Sequence, residues 1–327
     1  MTVMKNYREL LWLILLLLCP MQMSAQFTVN NPKEKFSINA SVEGVTNTNY
    51  KWKTDDRDFI ARGQMERGME AHVTSSLKLV SIPAFSLTVS PFYNYSARRL
   101  DTNWADGDQK IISAITNNEQ PMDLPTQHHH YGGSLSASLN FMVGEKAMTI
   151  MATGTANMSQ YGFENVSGVV GTIVHLIREK DTYLAVGAIY LIANNVSWPL
   201  YPFFAYRHQF NNRWSVNCLE ANNYVYYHAS PKVKLALGTE MDIDRIYFRP
   251  KSDVLPKKSV YSLVSERGGM FANFQATKEL SFNLGMGVSV PLFGRVREPG
   301  HRHSYMRLDD KVKPFIQLKA RYAIMKP

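Results

Sequence analysis

Cysteine is almost missing from this chain of 327 residues: there are two, Cys19 and Cys218. Cys19 falls inside an N-terminal apolar run, so once that run is removed Cys218 stands alone and no intramolecular disulfide can hold the fold. Cys218 lies in the strand-like stretch Trp214 to Leu219 and reads as a small apolar packing residue, not a nucleophile. Also missing, beyond the N-terminal run, is any apolar stretch near the ~20 residues that a membrane-spanning helix needs. No interdomain linker, no repeat longer than a strand and no Gly-x-Ser-x-Gly nucleophile elbow occurs. No nucleic-acid-binding motif accompanies the positive charge, which leaves nucleic acid a poor partner for it.

What the sequence does have begins with an export signal. Lys5 and Arg8 precede an unbroken apolar run from Leu10 to Leu18, followed by Pro20 and the small pair Ser24-Ala25. That is the order of a secretory signal peptide, with cleavage expected after Ala25 and Gln26 as the mature N-terminus. Residues 1–25 are therefore the signal and 26–327 one domain. Leu18 before Cys19 argues against lipidation there, where a small residue is normal. The formal charge of +9 falls by one, to +8, when Lys5, Arg8 and Glu9 leave with the signal. A surplus of this sign in an exported protein suits anionic lipopolysaccharide or anionic solutes.

From about Phe36 onward, apolar residues recur at every second position. Phe36, Ile38, Ala40 and Val42 alternate with Ser37, Asn39, Ser41 and Glu43; Leu280, Phe282, Leu284, Met286, Val288 and Val290 alternate with small or polar neighbours. Successive strand side chains point to opposite faces, so each segment has one oily and one wet side. Such segments cover approximately 36–45, 68–80, 84–98, 130–143, 147–160, 166–178, 182–192, 200–210, 213–219, 223–229, 232–244, 259–276, 280–291 and 313–325. Their connections sort by length. Ser81-Ile82-Pro83, Gly144-Glu145-Lys146, Glu179-Lys180-Asp181, Asn211-Asn212, Ser230-Pro231 and Thr277-Lys278-Glu279 are short, and every long one (46–67, 99–129, 193–199, 245–258, 292–312) belongs to the other set.

Short turns on one side and long loops on the other characterise outer-membrane barrels, with the short turns periplasmic. A soluble sandwich has no reason to sort its loops this way, and a lipocalin-like barrel needs about eight strands. The expected fold is all-β: one antiparallel up-and-down transmembrane β-barrel of 12–14 strands, the lower number applying if the two segments around Glu220-Ala221-Asn222 form one irregular hairpin. A closed barrel also explains the lone cysteine, since pairing every strand replaces covalent staples. The abundant Tyr, Phe and Trp suit aromatic girdles at the membrane interfaces.

Function has to be sought on the polar face. Ala71, Val73, Leu77 and Leu79 oppose Glu70, His72, Thr74 and Lys78; Val233, Leu235, Leu237, Met241 and Ile243 oppose Lys232, Lys234, Glu240 and Asp242. In the last segment Ile316, Leu318, Ala320, Tyr322 and Ile324 oppose Gln317, Lys319 and Arg321. Glu70, His72, Lys78, Glu240, Asp242, Lys319 and Arg321 are thus the lumen-facing candidates. Charges of both signs there form an internal salt-bridged network or line a water-filled channel.

Other polar clusters carry less. Imidazole suits Zn or Cu, but consecutive side chains of an extended chain do not converge on one ion, so His128-His129-His130 reads as a solvated loop-to-strand junction. His301 and His303 flank Arg302 in a long loop and read as basic surface. Asp106-Gly107-Asp108 lacks the following Glu of a Ca²⁺ loop. His72, His175, His208 and His228 lie within strands and read as girdle or lumen residues, so no catalytic set, metal or cofactor is assigned.

The stretch from Asn212 to Arg249 carries an Asn turn, then Trp214-Ser215, then a Ser230-Pro231-Lys232 turn and a Gly-containing strand. With Pro202-Phe203-Phe204-Ala205-Tyr206-Arg207 and the Ser24-Ala25-Gln26 signal end, it resembles a family of uncharacterised outer-membrane β-barrel proteins of the Bacteroidota. The resemblance implies location and fold and assigns no active residues. The chain departs from many barrels in ending Tyr322-Ala323-Ile324-Met325-Lys326-Pro327, where Tyr322 and Ile324 stand in for the terminal aromatic read by the outer-membrane assembly machinery. The expected role is non-enzymatic: a structural or porin-like barrel passing a small solute through the lipid bilayer of the outer membrane. The alternatives are a barrel enzyme acting on lipid A or phospholipid, and an envelope-complex component bound through its long loops.

Overall fold

The computed structural model describes residues 34–45, 48–54, 57–65, 68–97, 100–103, 127–192, 199–219, 222–250, 256–301 and 303–325. The export signal, its cleavage point and Asp106-Gly107-Asp108 lie outside them. Eighteen strands follow in chain order: β1 Glu34–Val45, β2 Thr48–Thr54, β3 Arg57–Met65, β4 Gly68–Ser81, β5 Phe85–Ala97, β6 Leu100–Asn103, β7 Gln127–Val143, β8 Lys146–Ser159 and β9 Gly162–Arg178. Then come β10 Thr182–Ile192, β11 Leu200–Gln209, β12 Trp214–Leu219, β13 Asn222–His228, β14 Val233–Phe248, β15 Ser259–Gln275, β16 Leu280–Arg297, β17 Ser304–Asp310 and β18 Lys313–Met325. The described residues contain no helix.

Fourteen of these strands close a ring in the order β1-β4-β5-β7-β8-β9-β10-β11-β12-β13-β14-β15-β16-β18 and back to β1, every neighbour antiparallel. The closing seam pairs Phe36 with Ile324 and Val45 with Phe315. A closed ring leaves no unpaired strand edge, which is what a bilayer requires of a β structure. β12 and β13 are separate strands, paired from Trp214–Tyr227 to Leu219–Asn222, so the number is fourteen and not twelve.

The remaining strands lie within segments expected as long connections, β2 and β3 in 46–67, β6 in 99–129 and β17 in 292–312. β17 folds back antiparallel on the end of β16, β2 pairs with β17, β3 with β2, and β6 with β3, building a sheet outward from one rim. β14 runs on to Phe248 and β16 to Arg297, well past the ends their alternation suggested. The short connections hold as tight turns at the opposite end; Gly144 adopts φ +58° in the two-residue turn between β7 and β8, a conformation that favours glycine.

The outward face is apolar. Leu237, Met270 and Ile316 are 64%, 62% and 57% exposed, and such residues ring the barrel. Exposed aromatics gather at its two ends: Tyr93, Tyr131, Phe163 and Tyr190 towards the long-loop end, Phe210, Trp214, Phe274 and Tyr322 towards the short-turn end. These are the two girdles of a transmembrane barrel with an apolar band between them. On that band Met270→Arg is expected to cost about 2–4 kcal/mol, and Phe274→Arg, nearer the interface, about 0–1. Urea titration of the barrel folded in phospholipid vesicles measures both.

Candidate functional site

Three consecutive residues, Ile246, Tyr247 and Phe248, are each at most 3% exposed. A strand in an ordinary barrel wall cannot bury consecutive side chains, because alternate ones face outward. The partners of this segment, Val260 and Tyr261, are buried too, as are Leu263 and Val296 beyond them. The long-loop ends of β14, β15 and β16 therefore leave the wall as a three-stranded flap with both faces covered. It reaches β7, which stands fourth in the ring where β14 stands eleventh, on the opposite side. The flap roofs the barrel mouth.

Two contacts latch it. The Tyr247 backbone N–H donates to His128 Nε2 at 2.8 Å, and the Tyr247 ring stacks on His128 and packs against His130. Arg249 Nη2 meets Glu164 Oε1 at 2.8 Å, with its guanidinium 4.7 Å above the Tyr161 ring. Glu164 also accepts the Ser159 hydroxyl at 2.5 Å, which ties the two-residue turn between β8 and β9 into the latch. His128 accepts a hydrogen bond at Nε2, so it carries a lone pair there and its proton on Nδ1. His128→Leu keeps bulk but strands a buried backbone N–H, a cost of about 1–3 kcal/mol. The expected result is faster amide exchange at Tyr247 than in the wild type; equal rates would show that the contact does not hold the roof.

Below the roof, one wall carries a continuous polar ladder. His72 on β4 meets Asn94 on β5 (3.0 Å), Asn94 meets His130 on β7 (3.3 Å), His130 meets Asn157 on β8 (3.2 Å) and Asn157 meets Ser167 on β9 (3.4 Å). The donors run in one direction: His72 Nδ1–H to Asn94 Oδ1, Asn94 Nδ2–H to His130 Nδ1, and His130 Nε2–H to Asn157 Oδ1. Glu70, one turn of the pleat above His72, sits 3.6 Å from its Nε2. Lower on this wall the inward residues are hydroxylic, with Ser76–Ser90, Ser86–Ser138 and Ser136–Thr153 pairs at 2.7–2.9 Å.

The facing wall is charged and internally compensated. Arg267 on β15 grips Glu43 on β1 at 2.6 Å and Asp242 on β14 at 2.7 Å. Glu240 on β14 takes the Lys319 ammonium and the Gln317 amide of β18 at 2.9 and 2.7 Å, plus the Tyr224 hydroxyl of β13 at 2.8 Å. Between β14 and β18 these side chains cross the intervening strands β15 and β16, and Gly285 on β16 makes room. A Cβ on Gly285 would stand 2.7 Å from the Phe271 ring and 2.8 Å from Gln317 Nε2. Between the two walls lies an apolar lining, Ile173, Ala185, Ile189, Leu191, Phe203 and Ala205, packed on itself inside the barrel.

The ladder, the charged wall and the roof line a chamber of about 580 Å³. A second space of about 380 Å³ shares His72, Glu240 and Lys319 with it and continues past Asn273, Asn283 and Arg321 towards the short-turn end. The lumen thus holds two adjoining spaces that meet at the Glu240–Lys319 level, the upper one beneath the roof.

Of the sequence candidates, His72, Glu240, Asp242 and Lys319 line the upper chamber, and Arg321 lines the lower space while pairing with Glu34. Glu70 is almost wholly buried, and Lys78 lies beside Thr88 across β4–β5, away from the chamber. The histidine triplet is corrected: it is not a solvated junction but part of β7, with His128 and His130 buried and His129 on the outer side hydrogen-bonded to Tyr93. His301 pairs with Glu298 at 3.7 Å. Among the described residues no group of three or more metal-ligating side chains converges. Sequence reasoning missed Arg267, Glu164 and Arg249. Arg267 sat within an alternating segment whose faces went unread, and the other two need the roof to meet.

No family model matches this sequence and no curated protein matches it. Among solved structures, an outer-membrane channel from Pseudomonas putida F1 is similar at 13% identity, over 90% of this chain and 98% of that one, with a TM-score of 0.39. A Pseudomonas aeruginosa FadL homologue is similar at 12% identity, over 94% and 95%, with a TM-score of 0.38. The transport unit of the autotransporter AIDA-I from Escherichia coli is similar at 9% identity, over 91% and 93%, with a TM-score of 0.36. The functional reading rests on the residues inside the barrel.

Proposed function

We propose that this protein is a non-enzymatic outer-membrane barrel that passes small polar solutes through a gated lumen. The export signal, the closed ring and the two aromatic girdles support the location, with lipid bilayer and lipopolysaccharide around it. The short-turn end then faces the periplasm, and the basic surplus favours lipopolysaccharide at the other. The observation that carries the function is the roof: three strands leave the wall, cross the mouth and are latched to the far side by Arg249–Glu164 and Tyr247–His128. A purely structural barrel has no use for a polar chamber that continues below such a roof. Among the described residues Arg267 engages Glu43 and Asp242, and Lys319 engages Glu240, which suits a lining.

Planar-bilayer recording of the full-length protein tests this. Brief openings separated by long closed periods are expected, with solute entry into proteoliposomes tracking the open fraction. A barrel that stays silent at every voltage, with the latch intact and with it broken, would overturn the proposal.

A further inference from the structure

The chemistry of the chamber narrows the class of solute. Towards its lower level the charged residues are matched against each other, Arg267 being shared by Glu43 and Asp242 and Lys319 by the two oxygens of Glu240, while Asp244, Arg245, Arg295 and Arg297 line it near the roof. An ionic solute would have to displace one of these partners and leave a buried charge unpaired, which is unfavourable. An apolar solute would take the amides and hydroxyls of the ladder out of water without replacing their hydrogen bonds, which is also unfavourable. Neutral groups on the lining keep hydrogen-bonding capacity. In the ladder Asn94 and Asn157 each use part of their donor and acceptor sites.

Among the described residues, the buried polar atoms of the lining without a hydrogen-bond partner include Ser96 Oγ, on a residue 7% exposed, and Arg267 Nε, on a residue 6% exposed. Buried polar atoms are seldom left unpaired without a reason. Phe92 faces the same space beside His130, opposite Gly132. An aromatic ring beside amides, hydroxyls and a guanidinium N–H matches a molecule with C–H faces and hydroxyls that both donate and accept. A volume of about 580 Å³ lies within the roughly 300–1,000 Å³ of small-molecule sites.

We infer that the roofed chamber is a binding site for an uncharged, hydroxyl-rich solute of the mono- to disaccharide class. The inference rests on the reading of the lumen as a solute passage, and names what enters it. Sugar hydroxyls replace the missing partners of Ser96 Oγ and Arg267 Nε and bridge the Asn94–Asn157 ladder, while a pyranose face lies on Phe92.

The test is calorimetric titration of the full-length barrel in detergent with maltose, glucose 6-phosphate and glucosamine as probes. Maltose is expected to bind best, with an affinity unchanged between low and high salt, because no charge is matched. Asn157→Leu is expected to weaken maltose binding by about tenfold, two neutral hydrogen bonds being lost. Ser96→Ala, a milder change that leaves the ladder intact, is expected to weaken it by about threefold. Heat-modifiable gel mobility checks that both variants fold. Tighter binding of either charged sugar than of maltose, no binding of any, or full affinity in both variants would overturn the assignment. Binding in detergent needs no passage, so maltose binding by a barrel that never conducts would sink the gate and keep the site. Conduction without maltose binding would do the reverse.

Discussion

Arg249→Ala is expected to turn a mostly closed barrel into a conducting one. Its guanidinium reaches from the roof to Glu164 at 2.8 Å, and Glu164 is buried, shared with Ser159 and held against the turn between β8 and β9. Removing one partner of a buried ion pair costs about 3–5 kcal/mol, because the other charge is left stranded. Arg249 is partly exposed, so we take the lower end of that range. About 3 kcal/mol against the closed state multiplies the open-to-closed ratio by roughly a hundredfold. The ring itself is untouched, since no wall pairing involves Arg249. Open time should therefore rise steeply while the urea midpoint barely moves. Arg249→Lys keeps the charge but loses the fork geometry and the broad contact with Tyr161, and is expected to fall between the two.

Arg267→Ala is expected to act on stability instead. Its guanidinium is the shared cation of Glu43 and Asp242, and joins three strands of the ring, β1, β14 and β15, across the lumen. Without it two carboxylates face each other with no cation between them. A loss of about 3–5 kcal/mol in unfolding free energy follows from the stranded charge. Arg267→Met combined with Glu43→Gln and Asp242→Asn removes the whole set, and most of the loss should return because nothing charged is left buried. Denaturant unfolding in vesicles, read by the change in gel mobility, separates the two. A single variant as stable as the wild type would show that water already compensates the carboxylates.

The wall of the barrel was legible because lipid on one side and lumen on the other impose a period of two on every strand. Leu284, Met286 and Val288 could alternate with small residues only in such a setting. The turns were legible through Gly144, Asn211 and Pro231, whose backbone preferences mark chain reversal. The roof was not, since a segment buried on both faces abandons alternation. Ile246-Tyr247-Phe248 and Val260-Tyr261 are that signal, but the first falls in the expected connection 245–258 and the second opens the expected strand 259–276. The ladder was hidden for a different reason. His72, Asn94, His130 and Asn157 lie on inward faces, but their meeting depends on register across four pairings, and register comes from turn offsets that composition does not encode. Glu43 and Gln317 sat on polar faces already identified; their partner Arg267 emerged only when β15 was set beside β14 and across from β1.

The latch is the centre of this account, and a reversible cross-link tests it most directly. Arg249→Cys and Glu164→Cys, in a Cys218→Ser background, replace the ion pair by two thiols on either side of the roof contact. Before cross-linking, the barrel should conduct. A short bis-methanethiosulfonate should bridge the thiols within one chain and silence the current, and a reductant should restore it. Current that is indifferent to the cross-linker, or thiols that never bridge within a chain, would contradict a roof folded across the mouth.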